Sequence, residues 1–279
     1  MSEIEKKALK LWGDDLHKDY PASAHYIQLK HIFIKNWKDL LKGNLLEIGC
    51  GAGADLDYFS QVKTLDSIDA IDLGSSINEL SLKYKNREDI NVSNGNALSL
   101  EFKEDSFDVI YSFGVFHHTE NPIKCISEAN RVLKKDGALF LYLYSAHEDI
   151  FLKRVGIFCE NILMKLLKFT PYFFQHIVCI LLSPICWIVF SIPARAFEYF
   201  DFKKASKKIP FYWGTHPFSL IGDLKDRLMS PVNVRFKKIE MISILKEQGF
   251  SHSEVVKTAS GLYIHCLLYT SDAADEEDS

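Results

Sequence analysis

Leu45-Leu46-Glu47-Ile48-Gly49-Cys50-Gly51-Ala52-Gly53 is the stretch of sequence that decides the fold. Its apolar start is typical of a buried strand, its glycines stand at alternate positions, and the residues after it predict a helix over 54–61. Glycine has no Cβ, so such a turn lets a ligand approach main-chain N–H groups closely. Nineteen residues after Gly53, a second apolar run ends at Asp72, where an acid can accept hydrogen bonds from a ribose diol. Together the two segments predict a site for an adenosine-containing cofactor at the carboxyl edge of a parallel sheet.

The glycine spacing leaves two classes of cofactor open. Gly49, Gly51 and Ala54 also satisfy the relaxed dinucleotide pattern G-x-G-x-x-A, so a nicotinamide-dependent oxidoreductase is one interpretation. Glu47, two residues before the first glycine, would oppose the pyrophosphate of a dinucleotide with a carboxylate. The same carboxylate would attract the sulfonium and ammonium groups of S-adenosylmethionine. The position of Glu47 therefore favours S-adenosylmethionine.

Apolar strands alternate with helices from residue 44 to residue 145. Ser76 followed by Glu79 fits a capping box at one helix start, and Pro122 fits a first-turn proline at another. Such alternation predicts a parallel sheet covered by helices on both faces. Further along, a helical pattern over 236–248 precedes two strand patterns, which predict an antiparallel pair that closes the sheet. The predicted strands lie near 45–48, 67–71, 90–93, 107–112, 138–144, 253–258 and 262–267, and the predicted helices of the first part lie near 54–61, 76–85 and 122–134.

Five segments in serial order resemble the motifs of the class I S-adenosylmethionine-dependent methyltransferases. The resemblance is closest to the small-molecule group that includes the ubiquinone/menaquinone methyltransferases, with a methyltransferase type 11 domain. It implies an α/β Rossmann-like sheet of seven strands, mostly parallel with an antiparallel last strand, with helices on both faces and an α-helical insertion. The segments are Glu47–Gly53, Asp72–Ser75, Gly95–Ala97, Phe107–His118 and Glu128–Gly137.

The resemblance also implies a cofactor site. Glu47 is expected to orient the cationic end of S-adenosylmethionine, Asp72 to accept from its ribose, and Asn96 to lie beside adenine. Asn96 stands where the family usually has Asp, so it can accept a hydrogen bond but brings no charge. The expected cofactor-binding residues are Glu47, Gly49, Cys50, Gly51, Gly53, Asp72, Leu73, Asn96, Ala97 and Phe113.

Histidines provide the candidates for proton transfer. His117 and His118 follow the fourth predicted strand, and histidine titrates near neutral pH, so they are the candidate catalytic residues. Structural residues at the start of the next helix are the alternative reading of the same pair. Tyr142 and Tyr144 either face the acceptor or belong to the core. A further polar cluster, His216, Asp223, Asp226 and Arg227, is expected to be a solvated face, and no metal-ligand spacing stands out.

An apolar insertion separates the two parts of the predicted sheet. Phe173–Ile192 is about as long as a membrane span of ~20 residues, but strands precede and follow it and Pro184 interrupts it, so a single crossing is disfavoured. Basic residues flank both ends, which favours the cytoplasmic side of a membrane. Two interpretations remain: a re-entrant or interfacial segment that contacts the membrane through 150–193, or a helical lid buried against the catalytic domain.

Composition limits the remaining possibilities. The chain has 279 residues, 47% hydrophobic content and a net charge of −4, which gives no charge bias towards nucleic acid. The six cysteines form no C-x-x-C pair and the first residues lack a secretory pattern, so we expect a cytoplasmic protein, at the inner face of the membrane if the insertion contacts lipid.

The organisation that we predict has five parts. These are an N-terminal helical cap (1–43), an S-adenosylmethionine-binding core (44–145), the apolar insertion (146–235), a C-terminal part of the core (236–265) and a tail (266–279) that resembles a translated sequencing adapter and is expected to be non-native. The predicted function is methyl transfer from S-adenosylmethionine to a small-molecule or lipid-linked acceptor. The alternatives are an NAD(P)-dependent oxidoreductase and a non-catalytic, membrane-docked module that binds S-adenosylmethionine.

Overall fold

A mixed sheet forms the centre of the computed structural model, which describes residues 3–8, 10–11, 40–250 and 252–268. Its strands are β1 (Gly43–Ile48), β2 (Leu65–Asp72), β3 (Ile90–Asn94), β4 (Phe107–Phe113), β5 (Leu133–Leu143), β6 (His252–Lys257) and β7 (Leu262–Leu267). In the described part of the chain the seven strands follow the order β3-β2-β1-β4-β5-β7-β6. β1 to β5 pair in parallel, and β7 runs antiparallel to both β5 and β6. The predicted fold class, including the antiparallel last strand, is confirmed.

Helices cover the sheet as expected, with one local difference. They are α2 (Ala54–Phe59), α3 (Ile77–Tyr84), α4 (Pro122–Val132) and, after the insertion, α10 (Lys238–Glu247), whereas α1 (Glu3–Ala8) precedes the first strand. Pro122 occupies the first turn of α4, where the side chain of Asn121 caps the Lys124 N–H at 3.0 Å. The predicted capping box at Ser76 is wrong: Ser76 already has helical φ and ψ, its carbonyl accepts from Leu80, and its hydroxyl makes no capping bond.

The insertion forms a helical layer with a small core of its own. It contains α5 (Phe151–Leu167), α6 (Tyr172–Cys186), a π-helical turn (Trp187–Ser191), α7 (Ile192–Tyr199), α8 (Lys203–Ser206) and α9 (Ile221–Leu228). α9 packs against both α5 and α6, and its Leu224 and Leu228 share an apolar cluster with Leu167 and Cys179. The fold therefore places α9 on the inner side of the layer.

Backbone hydrogen bonds attach the end of the insertion to the segments that follow β5 and β4. The Phe236 N–H donates to the Tyr144 carbonyl at 2.9 Å, and the Ala146 N–H donates to the Phe236 carbonyl at the same distance. The Val234 N–H reaches the His117 carbonyl, also at 2.9 Å. Since Tyr144 and His117 follow β5 and β4, the insertion is fixed over the carboxyl edge of the sheet.

Pro184 does not break the long apolar helix. Proline lacks the N–H that would bond to the Ile180 carbonyl, and the helix adjusts by passing into the π-helical turn after Cys186. Among the described residues, Tyr172–Tyr199 is one helical stretch of 28 residues that is long and apolar enough to cross a membrane, and its most apolar 18-residue window has a mean hydropathy of 2.4. Only 22% of its most apolar window is buried inside the protein.

The two ends of the chain are described only in part. Most of the predicted cap, residues 12–39, lies outside the described residues, and so do residues 269–279 of the predicted tail. Cys266, where that tail was predicted to begin, is fully buried in β7 opposite Leu139. Sheet pairing thus continues past the predicted boundary, through Leu267.

Candidate active site

The turn after β1 requires glycine. Gly49, Gly51 and Gly53 have φ values of 82°, 53° and 83°, in the left-handed region that other residues rarely adopt. A Cβ on Gly49 would lie 2.1 Å from Val115 Cγ2, because the segment after β4 passes directly over the turn. The turn therefore keeps its backbone next to the end of β4, where an acceptor would meet the cofactor.

Asp72 holds this turn in place. Its Oδ2 accepts from the Gly51 N–H at 2.9 Å, and its Oδ1 accepts from the Gly74 N–H at 2.6 Å. A carboxylate has about four acceptor positions, so both oxygens keep the capacity to accept from a ribose diol. Asp72 thus fits the predicted ribose role and in addition links the ends of β1 and β2.

Glu47 is a buried acid in an acidic environment. Its side chain is 2% exposed, and its Oε2 has no hydrogen-bond partner among the described residues. Burial, and then the charges of Asp55, Asp72 and Asp57, raise the pKa of Glu47 well above its usual value. A cation would relieve both the repulsion and the unsatisfied oxygen. The residues present therefore fit the positively charged methionine end of S-adenosylmethionine.

Two acids of this group were not singled out from the sequence. Asp55 and Asp57 lie in the first turn of α2, directly after the glycines, and Asp55 accepts from the Tyr111 hydroxyl at 2.9 Å. Acidic residues are common in the first turn of any helix, where they complement its dipole. Only the fold shows that Asp55 and Asp57 act on Glu47.

The other predicted cofactor residues lie along the same edge. Asn96 Oδ1 accepts from the Leu98 N–H at 2.9 Å, which fixes the loop after β3, and the neighbouring Ala97 is buried. Phe113, at the end of β4, stacks on Tyr142 with ring centroids 4.3 Å apart. The ends of β1 to β4 thus bring together the complete predicted set: Glu47 in β1 with Gly49, Cys50, Gly51 and Gly53 after it, Asp72 at the end of β2 with Leu73 after it, Asn96 and Ala97 after β3, and Phe113 at the end of β4.

His118 is held firmly by groups of the insertion. Its Nδ1 lies 2.9 Å from the Val232 carbonyl, which can only accept, so Nδ1 carries a proton. Its Nε2 lies 3.3 Å from Asp226 Oδ1, and the other oxygen of Asp226 accepts from the Tyr144 hydroxyl. With both ring nitrogens engaged, His118 is suited to positioning its neighbours.

His117 has a different environment. Its ring is fully buried and lies 4.1 Å from the ring of Tyr144, and neither ring nitrogen has a hydrogen-bond partner among the described residues. Burial, the adjacent His118 and the guanidinium groups of Arg235 and Arg227 lower the pKa of His117 well below 6.5. A neutral imidazole with a free nitrogen can accept a hydrogen bond or a proton.

An ionic network surrounds the two histidines. Glu160 of α5 accepts from Arg227 at 3.0 Å and from Arg235 at 2.5 Å, and both guanidinium groups lie over the ring of Tyr144. The sequence offered no signal for Glu160 or Arg235, since they come from distant segments that only the insertion brings together.

The solvated face predicted for the polar cluster of the insertion is wrong for three of its four members. His216 is exposed, but Asp226 is 3% exposed, Arg227 is 14% exposed, and Asp223 is largely enclosed and accepts from Trp213 Nε1 at 2.8 Å. These residues occupy the face of α9 opposite its leucines. That face meets the carboxyl edge of the sheet and its histidines, so it is enclosed.

Comparison with known proteins agrees with this geometry. Residues 46–141 match the family model described as Methyltransferase domain. Among curated relatives, the chain is 33% identical over 119 residues to the uncharacterized methyltransferase YcgJ of Bacillus subtilis, which covers 42% of this chain and 47% of that protein. It is 31% identical over 156 residues to a probable tRNA methyltransferase 9B of Mus musculus, and the match covers 52% of this chain and 33% of that protein. It is 26% identical over 186 residues to a demethylmenaquinone methyltransferase of Lactococcus lactis, and the match covers 60% of this chain and 74% of that protein.

The fold and the carboxylate-lined glycine turn define a class I S-adenosylmethionine-dependent methyltransferase domain. Residues 46–141, about a third of the chain, match this family, and the match indicates S-adenosylmethionine as the cofactor of this segment. The chain spans about half or less of the length of the first curated relatives that it matches.

Proposed function

We propose that this protein is an enzyme that transfers the methyl group of S-adenosylmethionine to an amphiphilic, lipid-linked acceptor at a membrane surface. The observation that carries this proposal is the apolar outer surface of the insertion, whose inner helix α9 contacts the histidines of the site. The alternative of a dinucleotide cofactor is disfavoured, because the buried Glu47 and its neighbouring acids would repel a pyrophosphate.

An apolar stripe runs along the outer face of α5–α7. On α5 the exposed positions follow a spacing of three or four residues, and α6 with the following π-helical turn repeats the pattern, so each helix shows one apolar stripe to the outside. We call this surface the apolar face. Its central members are Phe158, Ile162, Leu166, Leu181, Ile185 and Ile188, with exposures between 45% and 65%.

Basic and aromatic residues border the apolar face. Lys165 and Lys168 at the end of α5, and Arg195 in α7, are exposed, and so are the lysines of α8. Phe169 and Tyr199 are 88% and 86% exposed. Exposed aromatic rings and cations around an apolar stripe are typical of helices that lie in the interface of an anionic membrane. The cytoplasmic leaflet has this charge, so we propose that the enzyme acts there.

The chemistry divides between the cofactor and the chain. When bound, S-adenosylmethionine supplies a methyl group already activated on a sulfonium. Glu47 and Asp72 would hold its cationic and ribose parts, so the main task of the protein is alignment, which can lower a barrier by up to ~7–11 kcal/mol. We propose that His117 accepts the acceptor's proton where one must be lost, and that Asp226 and His118 position the residues around it.

Each class of acceptor predicts label in a different fraction of an extract, so one experiment distinguishes them. The purified protein would be incubated with S-adenosylmethionine carrying a labelled methyl group and with three fractions of a host extract: lipids, aqueous metabolites and RNA. We expect label in the lipid fraction. Label confined to the aqueous metabolites would contradict the lipid-linked acceptor, and label in RNA would instead favour the activity named for the tRNA methyltransferase relative.

A further inference from the structure

A surface cavity lies at the same edge of the sheet, outside the cofactor turn. It measures about 620 Å³, opens broadly to solvent and is bordered by the residues after α8, the residues before α5 and the turn between β6 and β7. This size is typical of pockets that bind small molecules or headgroups. None of the residues of the cofactor turn or of the histidine pair lines it. The methyltransferase site described above therefore leaves this cavity without a function.

The cavity is rich in cationic groups. Lys207 and Lys208 line it, and their ammonium groups have no ion-pair partner among the described residues. Lys257 and Asp149 also line it, and Lys257 pairs with Asp149 at 2.6 Å and with Glu148 at 3.1 Å. Three lysines stand against these two carboxylates, so the cavity keeps a net positive charge.

Polar groups form the opposite wall. Thr258 and Ser260 in the β6–β7 turn line the cavity with their hydroxyls 3.0 Å apart, and the Thr258 hydroxyl donates to the Gly261 carbonyl at 3.2 Å, so its proton is used within the turn. The buried ammonium of Lys153 donates to the Ala259 carbonyl and so fixes the turn from behind. Tyr212 also lines the cavity, and ammonium and phenol donors match the oxygens of a phosphate group.

The position of the cavity connects it with both parts of the proposed acceptor. Tyr263 lines the cavity, and its ring lies 4.9 Å from that of Tyr142 and 6.0 Å from that of Phe113 at the end of β4. On the other side, Phe200 and Phe202 precede α8 and are 67% and 60% exposed. A ligand held in the cavity would therefore lie between the methyl-transfer edge and the apolar surface.

We propose that this lysine-lined cavity binds the phosphate or pyrophosphate group of the acceptor's headgroup. This inference rests on the proposed function, since it specifies the acceptor as a phosphate-bearing amphiphile. The anion anchors the headgroup between the sheet edge and the membrane, and the part of the molecule to be methylated extends towards Phe113.

The test compares two double variants with the same change of charge. Lys207→Gln with Lys208→Gln removes the unpaired charges from the cavity, and Lys203→Gln with Lys204→Gln removes two exposed lysines of the preceding helix α8 that do not line it. Binding of inorganic pyrophosphate is measured by calorimetry. We expect the first pair to weaken it about tenfold or more, which is a loss of about 1.4 kcal/mol or more, and the second pair by less than about twofold. Equal losses in both, or no binding to the wild-type protein, would overturn the proposal.

The source of the phosphate is tested with vesicles. Flotation is measured with phosphatidylcholine vesicles that contain or lack phosphatidic acid, with and without pyrophosphate as competitor. We expect pyrophosphate to release the wild-type protein from the phosphatidic acid vesicles; flotation that pyrophosphate does not change would overturn the assignment to a lipid headgroup. Binding of S-adenosylmethionine is measured in parallel on all variants. If the wild-type protein does not bind S-adenosylmethionine, that result counts against the proposed function, independently of the anion site.

Discussion

Asp226 Oδ1 lies 3.3 Å from His118 Nε2, and the second oxygen of the same carboxylate accepts a hydrogen bond from Tyr144. One side chain of the insertion therefore connects the residues that follow β4 and β5. The bridge makes α9 a part of the proposed acceptor site, and it explains why polar residues occur within an otherwise apolar insertion.

Substitution of Asp226 should slow the reaction without affecting the cofactor. Asp226→Asn keeps the size of the side chain but removes the charge that faces His118, so we expect kcat to fall about tenfold or more while KM for S-adenosylmethionine stays the same. Asp223→Asn, on the same helix but bonded to Trp213, is the matched control. Similar losses of kcat in the two variants would show a structural role only.

His117 should determine the acid limb of the pH–rate profile. A base must be unprotonated to act, and burial with nearby cations lowers the pKa of His117, so activity should persist below pH 6.5 and fall only at more acidic pH. His117→Phe keeps the ring packed against Tyr144 but removes both nitrogens, and we expect it to lower kcat and abolish that limb. An unchanged profile in His117→Phe would exclude His117 as the base.

Glu47 should couple cofactor binding to pH. The pKa of Glu47 is raised in the free protein, and a bound cation favours the charged carboxylate, so binding should release a proton below that raised pKa and weaken as pH falls through it. Calorimetry in buffers of different ionisation enthalpy measures the release. In Glu47→Gln we expect weaker binding without proton release; proton release of the same size in the variant would refute the coupling.

The same substitution should stabilise the cofactor-free protein. A folded-state pKa above the unfolded value of 4.5 gives stability that is present at low pH and is lost as pH rises through the raised pKa. Glu47→Gln has no such loss, so its melting temperature at pH 8 should exceed that of the wild type. A lower melting temperature would mean that Glu47 stabilises the fold.

The apolar face should determine membrane binding. Ile185→Ser with Ile188→Ser removes two exposed apolar side chains, each worth ~1.5–3 kcal/mol when fully buried, so binding to anionic vesicles should weaken about tenfold or more. Leu82→Ser with Ile239→Ser is the control, since both residues are exposed, at 67% and 83%, but lie outside the insertion. Equal binding by both double variants in a flotation assay would contradict the membrane contact.

The sheet and the cofactor edge could be predicted from the sequence because their signals are local. Apolar runs such as that before Gly49 predict buried strands, and the strand ends follow directly, which is why Glu47 and Asp72 were expected at one edge. The start of β5 was less predictable. Leu133 already pairs with Phe107, although the strand register shifts between Phe107 and Val109, and the hydrophobic periodicity of the sequence does not indicate that shift.

The acceptor side could not be predicted in the same way. Asp226 and Arg227 lie opposite the leucines of a short helix, a pattern that normally indicates solvent. Whether that face meets water or protein depends on where the insertion returns to the sheet, which is fixed by the bonds of Phe236 to Tyr144 and Ala146. Glu160 and Arg235 come together for the same reason, over a separation in sequence that has no local signature.

Titration with S-adenosylmethionine and with NAD tests the central claim most directly. We expect the wild-type protein to bind S-adenosylmethionine and not NAD, and Asp72→Ala to lose that binding, since Asp72 both holds the glycine turn and faces the ribose. Asp69→Ala, in the same strand and bonded to Asn91, should bind as the wild type does. Binding of S-adenosylmethionine that survives in Asp72→Ala, or a preference for NAD, would contradict the account.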